Sequence, residues 1–206
     1  GIVPDEPGAI YGKQLGGYDY VKVDHCQWPL NKGDHKFWEW NLVSGGHNKP
    51  NKAFCERDCY EDEVTRGILA KVEALTGVPE NNNEPLQLLK YERGQFYRKH
   101  HDQNSPRTSA WGPRLYTWFM YLNDVADGGE TRFTILNISV RPRRGRVVLW
   151  PSVLDAQPNE RDDRTEHEAV AVREGTKYAA NYWLHLWDFE GPDALGCGNT
   201  EVFGNW

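Results

Sequence analysis

No stretch of the 206-residue chain holds 18 or more consecutive apolar residues, so nothing in it reads as a transmembrane segment. A basic excess is missing as well. The net charge is −6, whereas proteins that track nucleic-acid phosphates carry a basic stripe, so no nucleic-acid partner is expected. Internal repeats are absent, and the length suits a single domain with a full core. Cysteine is scarce: Cys26, Cys55, Cys59 and Cys197 allow three fully paired arrangements if oxidised, and their positions do not choose among them. Cys55 and Cys59 lie four residues apart, but the second pair that a zinc site needs is lacking. A disulfide, local or to Cys26 or Cys197, is the better reading in an oxidising compartment. No leader peptide is legible, and in a chain that opens on Gly1 this says nothing about targeting.

What is abundant points to β-structure. Nine Trp and 10 Tyr, with 20 Gly and 12 Pro, suit a fold of many short strands and turns. Strand candidates fall at 86–91, 96–102, 114–122, 131–135, 138–141, 146–150, 168–172 and 178–185, separated by turn signals such as Asp127-Gly128-Gly129 and Arg143-Arg144-Gly145. The stretch 114–122 is apolar on both faces and belongs inside a sheet. Before them, Val64, Ile68, Leu69, Val72 and Leu75 recur at helical spacing over 61–76 and predict a helix with one buried stripe, ended by Gly77 and Pro79. The expectation is a mainly β fold with flanking helices, a two-sheet jelly roll or double-stranded β-helix. One domain would span 1–206: an irregular arm over 1–60, a supporting helix over 61–77, the β core over 84–187 and a tail over 188–206. The arm shows one strand-like stretch, 18–23, and its Trp28, Phe37, Trp38 and Trp40 read as packing anchors.

The residues that carry chemistry close the segment 88–102, LLKYERGQFYRKHHD. Side chains alternate faces along a strand, so His100 and Asp102 point one way and His101 the other. An imidazole and a carboxylate converging on one point are two thirds of the two-histidine, one-carboxylate set that holds Fe(II) on one face and leaves positions open opposite. A third ligand must come from elsewhere. His167, in RTEHEAV, lies 65 residues after Asp102, and Lys177 follows ten residues later in EGTKYAANYWLH. Taken alone, a histidine is more often a surface or core residue than a ligand. His25, His35 and His47, in the arm, stay unassigned.

Four segments in order, YERGQFYRKHHD, GPRLYTWFMYLNDVADGGETRF, VRPRRGRVVLWPS and RTEHEAVAVREGTKYAANYWLH, resemble the catalytic domain of the prolyl 4-hydroxylases, plant and algal forms above all, over about 84–185. The resemblance implies Fe(II) held by His100, Asp102 and His167, with 2-oxoglutarate, O2 and ascorbate in the reaction. It implies that Lys177 meets the far carboxylate of 2-oxoglutarate, with Tyr91 and Thr131 donating hydroxyl hydrogen bonds to the same end. Charge agrees. Iron with one carboxylate and two neutral imidazoles is positive, the near end of a chelating 2-oxoglutarate neutralises it, and the far carboxylate then needs its own buried cation.

By the same resemblance, Tyr97, Arg114, Trp183 and His185 line a groove for a proline-rich peptide, whose rigid polyproline II helix suits aromatic walls. The segments 103–113 and 155–165 are candidate lids over it. The implied compartment is the endoplasmic reticulum lumen or secretory pathway. The chain departs from the family in a short 134–137 stretch, where many plant forms carry an insertion, and in its arm. Two other readings stay open: the same chemistry on a free amino acid or other small molecule, and a noncatalytic jelly-roll module that keeps its metal ligands. Oligomeric state is not legible.

Overall fold

The two longest strands are buried on both faces, so it is strand alternation that sorts their side chains, and the sheet register carries that sorting across the molecule. The computed structural model describes residues 50–195 apart from 56–57 and 106–108, preceded by three two-residue strands. In chain order these strands are β1 (Ile10–Tyr11), β2 (Lys22–Val23) and β3 (Val43–Ser44). There follow β4 (Asn51–Phe54), α1 (Asp58–Glu61), α2 (Glu63–Thr76), β5 (Gln87–Tyr91), β6 (Tyr97–His100), β7 (Arg114–Tyr121) and β8 (Asp127–Gly128). Then come β9 (Thr131–Phe133), β10 (Ile138–Val140), β11 (Val147–Pro151), β12 (Val153–Leu154) and β13 (Gln157–Arg161). The described chain closes with β14 (His167–Ala169), β15 (Val172–Glu174), β16 (Lys177–His185) and α3 (Glu190–Ala194). Single 3-10 turns lie at Glu80–Asn82 and Asp163–Thr165. The arm residues Trp28, Phe37, Trp38 and Trp40, together with His25, His35, His47, Cys26 and Cys197, lie outside the described residues.

The fold is a jelly roll of antiparallel sheets. A six-stranded sheet runs β11-β7-β16-β5-β4-β3, and a four-stranded sheet runs β10-β9-β14-β6. The strand 114–121 is interior, paired to β11 on one side and to β16 on the other. Its alternation places Thr117, Phe119 and Tyr121 on the face toward the small sheet, in register with Trp183, Asn181 and Ala179. Trp118, Met120 and Tyr182 face outward into a cluster with Leu69 and Val72 of α2. The inner cluster joins Leu89, Tyr91, Phe119, Tyr121, Phe133 and Trp150.

Two expectations change here. Residues 43–54 were expected to be irregular, yet β3 and β4 extend the large sheet beyond β5. The alternation there is too brief to stand out among Asn, Lys and Gly, and pairing to β5 supplies what local pattern does not. The buried stripe of α2 is also narrower than its periodicity predicts. Leu69 and Val72 are buried, whereas Val64 and Leu75 are 70% and 71% exposed. At 3.6 residues per turn these two sit roughly 100° around the helix from the Leu69–Val72 side. The helix itself starts and stops as read: Asp62 accepts from the N–H groups of Val64 and Thr65, and Gly77 closes it at φ 69°.

Cys55 and Cys59 form a disulfide that ties the end of β4 to α1. Gly128 is required by close approach as well as by its φ of 79°, because a Cβ there would lie 2.2 Å from the carbonyl oxygen of Ala171. Gly128→Ala is expected to cost roughly 3 kcal/mol or more of stability, seen as a lower thermal midpoint.

Candidate metal and cosubstrate site

His100 ends β6, His167 begins β14, and the two are partners in one antiparallel pairing. Asp102 lies two residues beyond β6. One ligand atom from each of the three falls within 4.8 Å of the others. His100 Nε2 is 3.5 Å from Asp102 Oδ1, and His167 Nε2 is 3.8 Å from Asp102 Oδ2. Both rings are held by their other nitrogen. His100 Nδ1 lies 2.8 Å from the carbonyl of Arg98, and His167 Nδ1 lies 3.0 Å from the carbonyl of Thr165. Each Nδ1–H therefore donates to the backbone and leaves the Nε2 lone pair facing the carboxylate, the tautomer that a metal requires. Thr117 donates to Asp102 Oδ2 at 2.6 Å and fixes the carboxylate.

Electrostatics favour the ligating forms. Burial by itself raises the pKa of Asp102, but His167, His100 and the Thr117 hydroxyl outweigh it and hold the carboxyl far below the usual carboxylate range. Burial lowers the pKa of His167 against the pull of Asp102, keeping that imidazole neutral and able to coordinate. His101 turns away, as strand alternation predicts. Its Nδ1 accepts from the N–H of Gln103 at 2.9 Å, and its Nε2 lies 2.9 Å from the carbonyl of Asp162. That contact joins the segment after β6 to the corner before β14. The candidate lid 155–165 is thus no free flap: most of it is the β12–β13 hairpin and the 3-10 turn, pinned by Asp162. Part of the other candidate lid, 106–108, lies outside the described residues.

Lys177 stands at the start of β16, paired to Tyr91, and is fully buried. Its Nζ has no hydrogen-bond partner and sits 4.6, 5.1 and 5.4 Å from the ring centroids of Tyr91, Phe119 and Tyr121. Ring faces offset part of the cost of burying an ammonium, and the hydrogen bonds it lacks are those a carboxylate would accept. Burial pushes its pKa down to about 7, with Glu130 opposing. Gly129 makes room for it, since a Cβ there would lie 3.3 Å from Lys177 Cδ. Thr131 is buried nearby, its Oγ1 2.7 Å from the hydroxyl of Tyr121. Tyr121 is a lining residue that the sequence reading passed over, as is Thr117. Their signal in the sequence is faint: Thr117 and Tyr121 stand four residues apart on one face of a largely apolar strand, with Phe119 between them.

The residues expected to line a peptide groove occupy different depths. Tyr97 is partly exposed and meets the His100 ring edge-on at 4.4 Å. Arg114 stacks over Trp183 at 4.1 Å and donates to the carbonyl of Asp102 at 3.0 Å. Trp183 is mostly buried, with its indole N–H unpaired. His185 does not face a groove. It is 1% exposed, with Nδ1 3.1 Å from the carbonyl of Gly112 and Nε2 2.8 Å from Glu84 Oε1. Both nitrogens thus meet oxygen acceptors. Glu84, unremarked in the sequence, also accepts from Arg114 Nε at 2.6 Å.

Burial raises the pKa of Glu84, but Arg114 and His185 overcome it and bring it to about 2. Its contribution to stability is complete above about pH 5 and drains away as pH falls below 4 toward 2. Glu84→Ala leaves Arg114 and His185 without their shared carboxylate and is expected to destabilise by roughly 3 kcal/mol or more, checked by thermal denaturation at neutral pH.

Residues 86–185 match the family described as the 2OG-Fe(II) oxygenase superfamily, a span that contains the three-residue cluster and Lys177. Over these residues the chain is similar to that superfamily. Over 132 residues the chain is 36% identical to prolyl 4-hydroxylase subunit alpha-1 of Rattus norvegicus, which covers 61% of this chain and 24% of that protein. Over 151 residues it is 32% identical to probable prolyl 4-hydroxylase 7 of Arabidopsis thaliana, covering 63% of this chain and 47% of the relative. The chain therefore spans about a quarter and about half the length of these two. The 2OG complex of the viral collagen prolyl hydroxylase from Paramecium Bursaria Chlorella virus-1 aligns with a TM-score of 0.59 at 26% identity, covering 66% of this chain and 79% of that one.

For a 2OG-Fe(II) oxygenase, the cluster and the buried ammonium would serve as a pair of attachment points. The donor set of two neutral imidazoles and a carboxylate fits Fe(II), and the unpartnered Lys177 fits the far carboxylate of 2-oxoglutarate.

Proposed function

We propose that the chain is an Fe(II)/2-oxoglutarate-dependent prolyl 4-hydroxylase acting on proline-rich peptides or proteins. The observation that carries the reading is the convergence of His100, Asp102 and His167, each histidine oriented by a backbone carbonyl, inside a 2OG-Fe(II) oxygenase domain. The named relatives, prolyl 4-hydroxylases from animal and plant, point to proline as the residue modified. Once bound, iron with O2 and 2-oxoglutarate supplies the oxidation of an unactivated C–H bond, converting C–H to C–OH while 2-oxoglutarate becomes succinate and CO2. Ascorbate keeps the iron ferrous.

The chain's own residues do the placing. His100, Asp102 and His167 hold the ion on one face, and Lys177 with Thr131 and Tyr91 orients the cosubstrate. Phe119, Tyr121 and Phe133 keep water out of the inner cluster. Arg114, stacked on Trp183 and anchored by Glu84, presents a planar cation at the mouth beside Tyr97, where a peptide would lie. The Cys55–Cys59 disulfide supports an oxidising compartment, and we place the protein in the endoplasmic reticulum or secretory pathway.

The test is mass spectrometry of proline-rich peptides after incubation with the protein, Fe(II), ascorbate and 2-oxoglutarate. One oxygen gained on proline with matching succinate is the expected result. Succinate release with no oxygenated peptide, but with hydroxylation of a small molecule, would replace this substrate assignment.

A further inference from the structure

The small sheet carries an apolar row that the metal chemistry does not use. Its register pairs His100 with His167, His167 with Phe133, and Phe133 with Ile138. Side chains paired in this way share a face, so the two histidines, Phe133 and Ile138 form one line across the inner face of the sheet. The line begins at the metal cluster and ends at the edge strand β10. Along it exposure rises: Phe133 is 4% exposed, packed 5.6 Å from the His167 ring, whereas Ile138 is 49% exposed.

The β9–β10 connection continues the same surface. Ile135 and Leu136 are 57% and 43% exposed in a loop of four residues, a position where polar turn residues are the norm. The loop is braced. Asn137 takes φ 54°, and the N–H of Thr134 donates to the carbonyl of Glu166, next to His167. Three large apolar side chains held in water on a braced tip, continuous with an active-site wall, have the character of a recognition surface.

We infer that Ile135, Leu136 and Ile138 form a second substrate subsite that takes an apolar side chain of the polypeptide being hydroxylated. This rests on the preceding reading that the substrate is a peptide. Distance sets the position. Paired strands place consecutive Cα partners about 5 Å apart, so Ile138 lies roughly 10 Å from His167. An extended peptide advances about 3.3 Å per residue, which puts the preferred apolar residue about three positions from the target proline.

The test uses the full chain with Fe(II), ascorbate and 2-oxoglutarate, and a set of proline peptides in which one leucine is moved through the flanks and compared with serine. Leucine about three positions away, on one side only, is expected to raise kcat/KM roughly tenfold, through KM. The double variant Ile135→Ser/Leu136→Ser, and separately Ile138→Ser, should bring that preference to within about twofold of serine. All three side chains are exposed, and an unshifted thermal midpoint verifies folding. A flat leucine scan in the wild type overturns the subsite, as does a preference that survives in both variants. If the variants keep the preference but elute as a smaller species than the wild type, the tip is instead a contact between copies of the chain and the subsite is refuted. Failure of the parent reading looks different: the wild type then adds oxygen to no peptide at all, and the subsite falls with it.

Discussion

His167→Ala is expected to abolish iron-dependent turnover, with a loss of at least about a thousandfold in succinate formation. His167 is nearly buried, its Nδ1 committed to the Thr165 carbonyl and its Nε2 turned toward Asp102, so no neighbour stands ready to replace it. The remaining His100 and Asp102 offer only two ligand atoms. Phe133 and Trp150, packed against the ring at 5.6 and 4.8 Å, leave an apolar void on its removal. Folding and metal retention must therefore be read separately. Circular dichroism should show the native strand signal at moderate temperature, while iron bound per chain falls to background. Robust iron-dependent activity in this variant would remove His167 from the ligand set.

Lys177→Met should raise the 2-oxoglutarate requirement by about a hundredfold while iron binding persists, because the far carboxylate of the cosubstrate loses its cation. The same substitution should stabilise the cosubstrate-free protein by about 2 kcal/mol, since it replaces a buried, unpartnered ammonium with an apolar chain of similar length. A gain in thermal midpoint together with a loss of cosubstrate affinity is hard to explain by damage to the fold. The wild type carries a pH signature of the same group. Burial holds its pKa down to about 7, and a bound carboxylate would raise it. Above that pH, binding must take up a proton, so affinity for 2-oxoglutarate falls up to tenfold per unit as pH rises, and is flat below it as far as this group is concerned. Calorimetry in buffers of different ionisation enthalpy reads the proton directly. An unchanged affinity for Lys177→Met would mean that another residue holds the far end.

The sequence was most informative where period and chemistry coincided. The strand stops at His100, short of the expected 102, yet the extended-chain alternation holds for two residues more: His100 and Asp102 converge, and His101 turns to the other side, against Asp162. Lys177 was legible because Ala179, Ala180 and Tyr182 mark its strand as buried on both faces. Other features depended on register, which no local pattern contains. Glu84 lies before β5 in a polar stretch, and only the fold brings it to Arg114 and His185. His185 looked like a groove residue by its place in a motif, yet that same partnership draws it inside. The strands over 43–54 stayed hidden for a related reason: an edge extension is stabilised by the strand it joins more than by its own residues.

The pairing of β6 with β14 has a consequence in time. His100 and His167 are neighbours only through that long-range ladder, and the chain must finish β14 before the two imidazoles can meet. A polypeptide still emerging from the ribosome offers iron nothing better than a flexible His–Asp pair, and Lys177 emerges later still. Loading with metal is thus confined to the completed barrel, and premature exposure to iron during synthesis should neither speed nor misdirect folding.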